Sequence, residues 1–432
     1  MNSASEKVIV IGAGAAGLMA AAAAAENGVA VVVYEKNEKP GKKIYITGKG
    51  RCNFTNACDT ADFFGSVIRN PRFLYSSVYG FDASAAMAFF EQNGCPIKVE
   101  RGNRAFPVSD HASDITRALT DRLKKLGVRI FLNTGAKEIL TAETENGKRV
   151  SGILLENGQK VEARKVILCT GGLSYPSTGS SGDGHRILAG LGLNMIPTAP
   201  SLVPLITAEE WPKRLQGLAL KNVAISIRES GEPSGKKKKP LYRDFGEMLF
   251  THFGVSGPII LSASARLLFD QGQQYDLKLD LKPALTEETL LERLDREFAV
   301  SPVRQFQTVL RTLFPQRLAE EIALLSGIDA SRMVRTITEK EKKEFVSLIK
   351  AVPMTLTGNR GFQEAIVTRG GINVRELNPS TMECKRIRGL YAAGELIDVD
   401  ALTGGYNLQI AWSTGHLAGV SAALQREEKI YE

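Results

Sequence analysis

The chain has 432 residues, 43% hydrophobic and 24% charged, the balance of a folded globular protein rather than a disordered or fibrous one. At that length it can bury one large core and a smaller second domain. Its net charge of +8 is dispersed, and its longest small apolar run, Leu18–Ala25, is far too short to cross a bilayer, so neither a nucleic-acid partner nor a membrane one is expected.

Val8-Ile-Val-Ile11 reads as a buried strand. It breaks at Gly12-Ala13-Gly14-Ala15-Ala16-Gly17, passes into an alanine-rich helix, and is followed by a second strand, Val31-Val-Val-Tyr34, ending at Glu35. In such a unit Gly12 permits the tight turn, Gly14 lets the backbone approach a pyrophosphate, and Gly17 allows close helix–strand packing. The N–H groups of the helix N-terminus face anionic phosphates. Glu35, 23 positions after Gly12, stands where a carboxylate accepts hydrogen bonds from ribose hydroxyls.

The segment from Asn37 to Asn56 is dense in glycine, basic and small polar residues, with Gly41-Lys42-Lys43 and then Thr47-Gly48-Lys49-Gly50-Arg51-Cys52-Asn53. That composition suits a loop closing over phosphates and a polar ring system. Arg129–Phe131, Glu138–Ala142, Val150–Glu156 and Val161–Ala163, parted by turns such as Glu145-Asn-Gly147 and Glu156-Asn-Gly158, read as a small β-meander. Val166-Ile-Leu-Cys169-Thr170-Gly171-Gly172 repeats the strand-to-glycine pattern.

Pro197, Pro200 and Pro204 mark the crossing into a segment without nucleotide motifs. Strands are expected there at Val223–Glu229, Glu247–Thr251 and Tyr275–Leu281. The period then turns helical over Glu287–Phe298, Val303–Thr312, Gln316–Leu325 and Glu339–Ala351. The one dense basic run, Lys236-Lys-Lys-Lys239, lies between Gly231-Glu-Pro-Ser-Gly235 and Pro240 and reads as a solvated hairpin tip.

Near the C-terminus, Gly389-Leu-Tyr-Ala-Ala-Gly394-Glu395 is a strand ending at glycine and an acid, and Leu402–Gln409, with Gly404 and Gly405, opens a helix over Ala411–Leu424. If the carboxyl ends of these strands converge in a doubly wound sheet, one cofactor is held from both ends of the chain. NAD rarely needs so many segments; FAD, longer and with a buried isoalloxazine, does. The expected fold is α/β: a Rossmann-like FAD-binding domain (glutathione-reductase-like, with a β-meander) over 1–196 and 355–432. It is interrupted at 197–354 by an inserted domain, β-barrel-like to about 285 and helical over about 286–350.

On these residues the chain resembles the YhiN-like, BaiN/RdsA-type family of NAD(P)/FAD-dependent flavoproteins, which includes bile-acid-type enone reductases and aminoacetone oxidases. The resemblance rests on the Gly12–Gly17 turn, Gly48–Asn56, Phe106-Pro107-Val-Ser109 and Thr178-Gly-Ser-Ser-Gly-Asp-Gly184. It continues through Leu249–Pro258 with its Thr251-His252-Phe253-Gly254, Thr368-Arg-Gly370-Gly371 and Tyr391–Asn407. It implies non-covalent FAD, an active site at the junction of the two domains, and NAD(P)H as a transient co-substrate, since the chain has only one dinucleotide fingerprint. The expected cofactor residues are Gly12, Gly14, Ala15, Ala16, Gly17, Glu35 and Lys36; Lys42, Lys43, Thr47, Gly48, Gly50, Arg51, Cys52 and Asn53; Ala136, Thr170, Gly171 and Gly172; and Gly394, Glu395, Gly404, Gly405, Tyr406, Asn407 and Leu408.

Flavin N5 carries the hydride in such enzymes, so protein groups orient and protonate. His252, set between aromatics, reads either as a core residue or as the proton donor. Tyr406 can donate a proton or pack on the flavin, and Arg51 can stabilise an anion or make a salt bridge within the fold. Cys52 reads as a small buried group more than a redox thiol, with no resolving cysteine beside it. Arg104 and Asp183 are weaker candidates, and His111 and His185 are the other histidines of the first half. Five cysteines without a C-x-x-C pair point to a cytoplasmic protein with free thiols, and four scattered histidines give no metal site. The leading activity is reduction of an activated C=C with NAD(P)H; the alternatives are an oxidase of a small amine or ketone and a flavoprotein acting on RNA.

Overall fold

The computed structural model describes residues 7–145, 147–231, 239–300 and 302–425. Asn146 of the first meander turn and Lys236, Lys237 and Lys238 of the basic run lie outside the described residues; Lys239 is exposed. The chain divides into two compact units, 1–201 with 361–432, and 202–360.

The first unit is built on a five-stranded sheet in the order Leu390–Ala392, Lys165–Leu168, Val8–Ile11, Val31–Tyr34 and Arg129–Phe131, every pairing parallel. Val8–Ile11 and Val31–Tyr34 are buried along their whole length, as a parallel sheet covered on both faces requires. Two helices lie together beside the sheet, Ala15–Glu26 and Tyr406–Leu424. Their contact is backbone to backbone: a Cβ at Gly415 would come 2.3 Å from the Ala16 carbonyl oxygen, and one at Gly419 2.3 Å from that of Ala20. The run of alanines in the first helix is the other half of this close approach, since larger side chains would hold the axes apart.

Three small antiparallel elements complete the unit. Ala136–Thr144, Gly147–Leu155 and Lys160–Glu162 form a meander; Thr55–Asn56, Arg104–Pro107 and Ile97–Glu100 form a second sheet; and Met195–Ser201 pairs with Val367–Ile372. The meander therefore has three strands. Arg129–Phe131, expected to be its first, instead forms the parallel edge of the main sheet, where Tyr34 stacks on Phe131 at 5.3 Å. Pro197 and Pro200 do not leave the domain either. They sit in the two-stranded ribbon, with a register shift between Ile196 and Ala199.

The second unit is a closed six-stranded barrel, Leu205–Thr207, Gly254–Ser256, Tyr242–Thr251, Ala219–Glu229, Tyr275–Asp280 and Val352–Asn359. Between its last two strands the described residues form the α-helices Glu287–Val300, Phe306–Leu313, Gln316–Ser326 and Glu339–Lys350. Barrel and helices share one core, in which Leu277, Leu279, Phe306 and Phe345 are buried. The insertion thus spans 202–360 rather than 197–354, because Val352–Asn359 closes the barrel against Tyr275–Asp280 and Leu205–Thr207. Among the described residues no helix is long and apolar enough to cross a membrane.

Candidate functional site

Parallel strands end on one edge, so the loops after Ile11, Tyr34, Leu168 and Ala392 gather there. The turn at Gly12 has φ +99°, and its N–H donates to the Tyr34 carbonyl at 2.8 Å. A Cβ on Gly12 would lie 2.5 Å from the Cys169 carbonyl oxygen, and one on Gly17 1.9 Å from that of Gly12. Both glycines are demanded by the protein's own packing. Gly14 is not, because a Cβ there would meet nothing within 4 Å. That open side, beside the N–H groups of Ala15, Ala16 and Gly17 that precede the first helical bond (Leu18 to Gly14), is the cradle a pyrophosphate fills.

Glu35, only 7% exposed, already accepts from its own chain: Ala13 N at 2.7 Å on one oxygen, Asn37 N at 2.8 Å and Nδ2 at 2.6 Å on the other. These bonds aim the carboxylate: Oε1 is taken twice by Asn37, and Oε2, bonded once by Ala13, keeps a second lone pair for a ribose hydroxyl. Ala136 lies next to this corner, since Thr134 N donates to the Glu35 carbonyl at 2.8 Å.

The lysines separate. Lys36 donates to Ser181 at 2.5 Å and pairs with Asp183, whose carboxyl is raised by burial but held lower overall by Lys36 and Ser181. Lys42 turns outward to Glu38. Lys43 reaches Glu395 at 2.7 Å and also bonds Ser174. Glu395 further accepts from Ser174 Oγ at 2.7 Å and Thr368 N at 2.9 Å. Burial pushes the Glu395 carboxyl up, but Lys43 and the two donors outweigh it and keep it ionised below the usual carboxylate range. Against Gly172, whose Cβ would stand 2.4 Å from Thr368 Oγ1, this network ties four distant segments together.

The second loop is wound through the left-handed region at Gly48, Lys49, Gly50 and Cys52, with φ of +60°, +58°, +87° and +58°. Two non-glycine residues in that region mark stored strain, which is commonest at ligand loops. Thr47 Oγ1 closes the loop's start on the Lys43 carbonyl. Cys52 is fully buried and burial pushes its thiol up, so it is a neutral packing group. Asn53 Oδ1 and Thr170 Oγ1 are buried with no hydrogen-bond partner. Such orphans are costly, and both belong to loops expected to meet the cofactor.

The two ends of the chain are joined at this site. Asn56 Nδ2 donates to the Gly404 carbonyl at 3.0 Å, Thr55 Oγ1 to Gln409 Oε1 at 2.6 Å, and a Cβ on Gly405 would strike Thr55 at 2.4 Å. Gly394, at φ +75°, rests on Ala16 and donates to Thr414 Oγ1 at 3.0 Å. The helix expected from Ala411 begins at Tyr406, capped by Gly405 at φ +100°. Its first bond is Gln409 to Gly405, which leaves the N–H groups of Tyr406, Asn407 and Leu408 without helical partners. The Asn407 side chain clamps the Ala401 N–H and carbonyl at 3.0 and 2.8 Å.

The proposed catalytic side chains fare differently. Arg51 takes the salt-bridge arrangement: it bonds Asp110 at 2.6 Å and Glu100 at 2.5 Å and lies 4.2 Å over the Phe106 ring. Tyr406 packs on Phe63 at 5.6 Å, and burial raises its hydroxyl pKa, with Ser66 and Cys58 nearby. His252, in the second unit, is exposed at the turn between Tyr242–Thr251 and Gly254–Ser256, its ring against Phe253. It is not a core residue. His185 has both ring nitrogens buried without a partner, and burial lowers its pKa. His111 is exposed at the start of a helix, and Arg104 is exposed, bonding the Arg101 carbonyl. Among the described residues no His, Cys, Asp or Glu cluster gathers for a metal.

Several participants were missed in the sequence: Asn37, Ser174, Thr368 and the buried pair Asp398 and Asp400. The first three are small polar residues in glycine-rich runs, which carry no periodic signal. Asp400 is fully buried, accepts from Ser201 Oγ at 2.9 Å and faces Arg69 at 3.5 Å; burial raises its carboxyl to about 6 despite Ser201, Arg69 and Arg369.

The open flank of Gly14, the aimed Glu35 and the orphaned Asn53 and Thr170 oxygens fit FAD. Residues 6–421 match the HI0933-like protein Rossmann domain. The chain is 30% identical to a ribosomal RNA dihydrouridine synthase of Haemophilus influenzae, covering 98% of this chain and 100% of that one. It is 32% identical to the enzyme of that name from Escherichia coli (94% and 95%) and 30% identical to a 3-dehydro-bile acid delta(4,6)-reductase of Clostridium scindens (96% and 99%). In fold it is similar to an Escherichia coli quinol fumarate reductase FrdA variant, with TM-score 0.50 and 17% identity over 97% of this chain and 70% of that one. The chain belongs to the HI0933-like Rossmann-domain family and is an FAD-dependent oxidoreductase.

Proposed function

We propose that this flavoenzyme reduces a carbon–carbon double bond conjugated to a carbonyl, and that its substrate is the uracil ring of a uridine in RNA. The observation that carries the reading is whole-length similarity to relatives whose names describe one chemistry on two substrates. Making dihydrouridine saturates a bond conjugated to the uracil carbonyl, and a 3-dehydro-bile acid with 4,6 unsaturation is a conjugated enone. The two relatives named for ribosomal RNA favour uridine. The relative named for a bile acid favours a small enone as the second reading.

Bound FAD supplies a hydride at N5, and NAD(P)H is the proposed source of its electrons. Glu35 holds the adenosine ribose, and the N–H groups of Ala15, Ala16 and Gly17 hold the pyrophosphate. Lys43 and Glu395 fix a charge pair beside Gly172, so a neighbouring polar group meets a preset field. The free N–H groups of Tyr406, Asn407 and Leu408 favour negative charge at that helix end. Addition of hydride to the double bond leaves an anion that one proton must quench, and His252 is the proposed donor.

The test is direct. The protein reduced with NADH or NADPH under argon is given unmodified ribosomal RNA, or a 3-keto-4-ene steroid acid, and the products are weighed by mass spectrometry. Uridine that gains two hydrogens is the expected result. Neither substrate gaining hydrogen, with peroxide formed from a small amine in air, would establish the oxidase alternative instead.

A further inference from the structure

The run Pro71–Leu74 and Tyr75–Gly80 has one dry face and one wet one. Phe73, Leu74, Ser77 and Val78 are buried, while Arg72, Tyr75, Ser76 and Tyr79 are exposed. Positions 72, 75 and 79 recur at helical spacing, so the arginine and both tyrosines share a face. Tyr75 is 46% exposed and Tyr79 62%, unusual for rings of that size.

These rings end a continuous aromatic strip. Tyr406, the first residue of the C-terminal helix at the cofactor site, packs on Phe63 at 5.6 Å; Phe63 meets Phe64 at 5.7 Å. Phe64 meets Tyr75 at 4.6 Å and Tyr79 at 5.6 Å, and the two tyrosines stand 6.2 Å apart. The strip runs from the cofactor site to the surface inside one unit. At its outer end Arg72 makes no ion pair or hydrogen bond among the described residues, and Arg69, three positions earlier, is about one-third exposed beside Asp400. Of the nearby acids, Asp59 and Asp62 lie at the inner end, by Cys58 and Tyr406, and Asp82, three positions after Tyr79, is engaged as the cap of the next helix, accepting from Ala85 N at 2.9 Å and Thr60 Oγ1 at 3.1 Å. Basic and aromatic residues are therefore interleaved between Phe63 and Tyr79, a pattern the sequence reading did not find. Exposed rings at stacking distance beside an unpaired cation are the chemistry of single-stranded nucleic-acid binding.

We propose that this face is the docking platform for unpaired nucleotides of the RNA, with Tyr75 and Tyr79 stacking on bases that flank the target uridine and Arg72 meeting a phosphate. The platform rests on the RNA reading above.

Fluorescence anisotropy with a labelled single-stranded RNA containing uridine tests it, on the FAD-loaded full chain. Tyr75→Ala with Tyr79→Ala weakens binding by at least about tenfold, whereas Tyr75→Phe with Tyr79→Phe keeps it, because stacking needs the ring and not the hydroxyl. Arg72→Gln lowers the slope of log affinity against log salt by about one. FAD content and melting temperature stay at wild-type values in all three, since the residues are exposed. If the alanine pair binds and reduces RNA as the wild type does, the platform lies elsewhere. Wild-type protein that neither binds nor reduces RNA sinks the RNA reading, and the platform with it.

Discussion

At the scale of single residues, three glycines in one motif do different work. Gly17→Ala forces a Cβ to 1.9 Å from the Gly12 carbonyl and should prevent the turn from folding at all. Gly14→Ala meets nothing in the protein, so the flavin-free form should melt at the wild-type temperature while FAD affinity falls by at least about tenfold, read by fluorescence titration. Equal losses of stability in the two variants would contradict this division. The motif's spacing was legible because steric need at Gly12 and Gly17 is written in sequence. Glu35 was legible as an acid, but not its three bonds to Ala13 and Asn37, which depend on how the next loop folds. Arg51 read as an anion stabiliser or a salt bridge, and the sequence did not decide between them because Glu100 and Asp110, which neutralise it, lie 49 and 59 positions away. His252 is exposed, so His252→Ala should leave FAD and folding intact and slow substrate reduction by about 10²-fold. Unchanged single-turnover rates would remove it from the mechanism.

At the scale of elements, the decisive contact is between the nucleotide helix Ala15–Glu26 and the C-terminal helix Tyr406–Leu424. A Cβ at Gly415 would enter the Ala16 backbone, so Gly415→Ala should push the helices apart, cost about 1–3 kcal/mol, and release FAD because the pyrophosphate turn shifts. Calorimetry and flavin release on dilution check it together; retained FAD with an unchanged melting temperature would mean the helices need no such closeness. A chain ending before residue 389 is a poorer test, since it also removes the Leu390–Ala392 strand from the main sheet. Apolar strands ending in glycine were readable wherever they occurred. Their partners were not: Arg129–Phe131 has the alternation of a meander strand, and only its pairing with Val31–Tyr34 reveals a parallel edge. The early start of the last helix was hidden because Gly404 and Gly405 are poor helix formers and act here as the cap.

At the scale of the whole molecule, the insertion was legible from where nucleotide motifs stop, but its end was not, because Val352–Asn359 belongs to a barrel closed by strands from far along the chain. Buried charge was the least legible feature, and it sets a pH dependence. Asp400 titrates near 6 in the folded protein, above an ordinary carboxylate near 4, so the folded state binds a proton the unfolded state has lost. Its contribution favours folding at low pH and is lost as pH rises from about 4 to 6, a difference of about 3 kcal/mol. Asp400→Asn should therefore gain stability relative to wild type as pH rises across that window, by thermal melts in a pH series; a constant offset would contradict it. The central claim, an FAD-dependent reductase of a conjugated double bond in RNA uridine, is tested most directly by anaerobic stopped-flow. The bound flavin is first reduced with NADPH or NADH and then mixed with unmodified ribosomal RNA in the absence of oxygen. Return of the oxidised flavin spectrum, matched one for one by dihydrouridine formed, is the predicted result. Flavin that stays reduced with both RNA and enone, and reoxidises only when oxygen enters, would contradict the account.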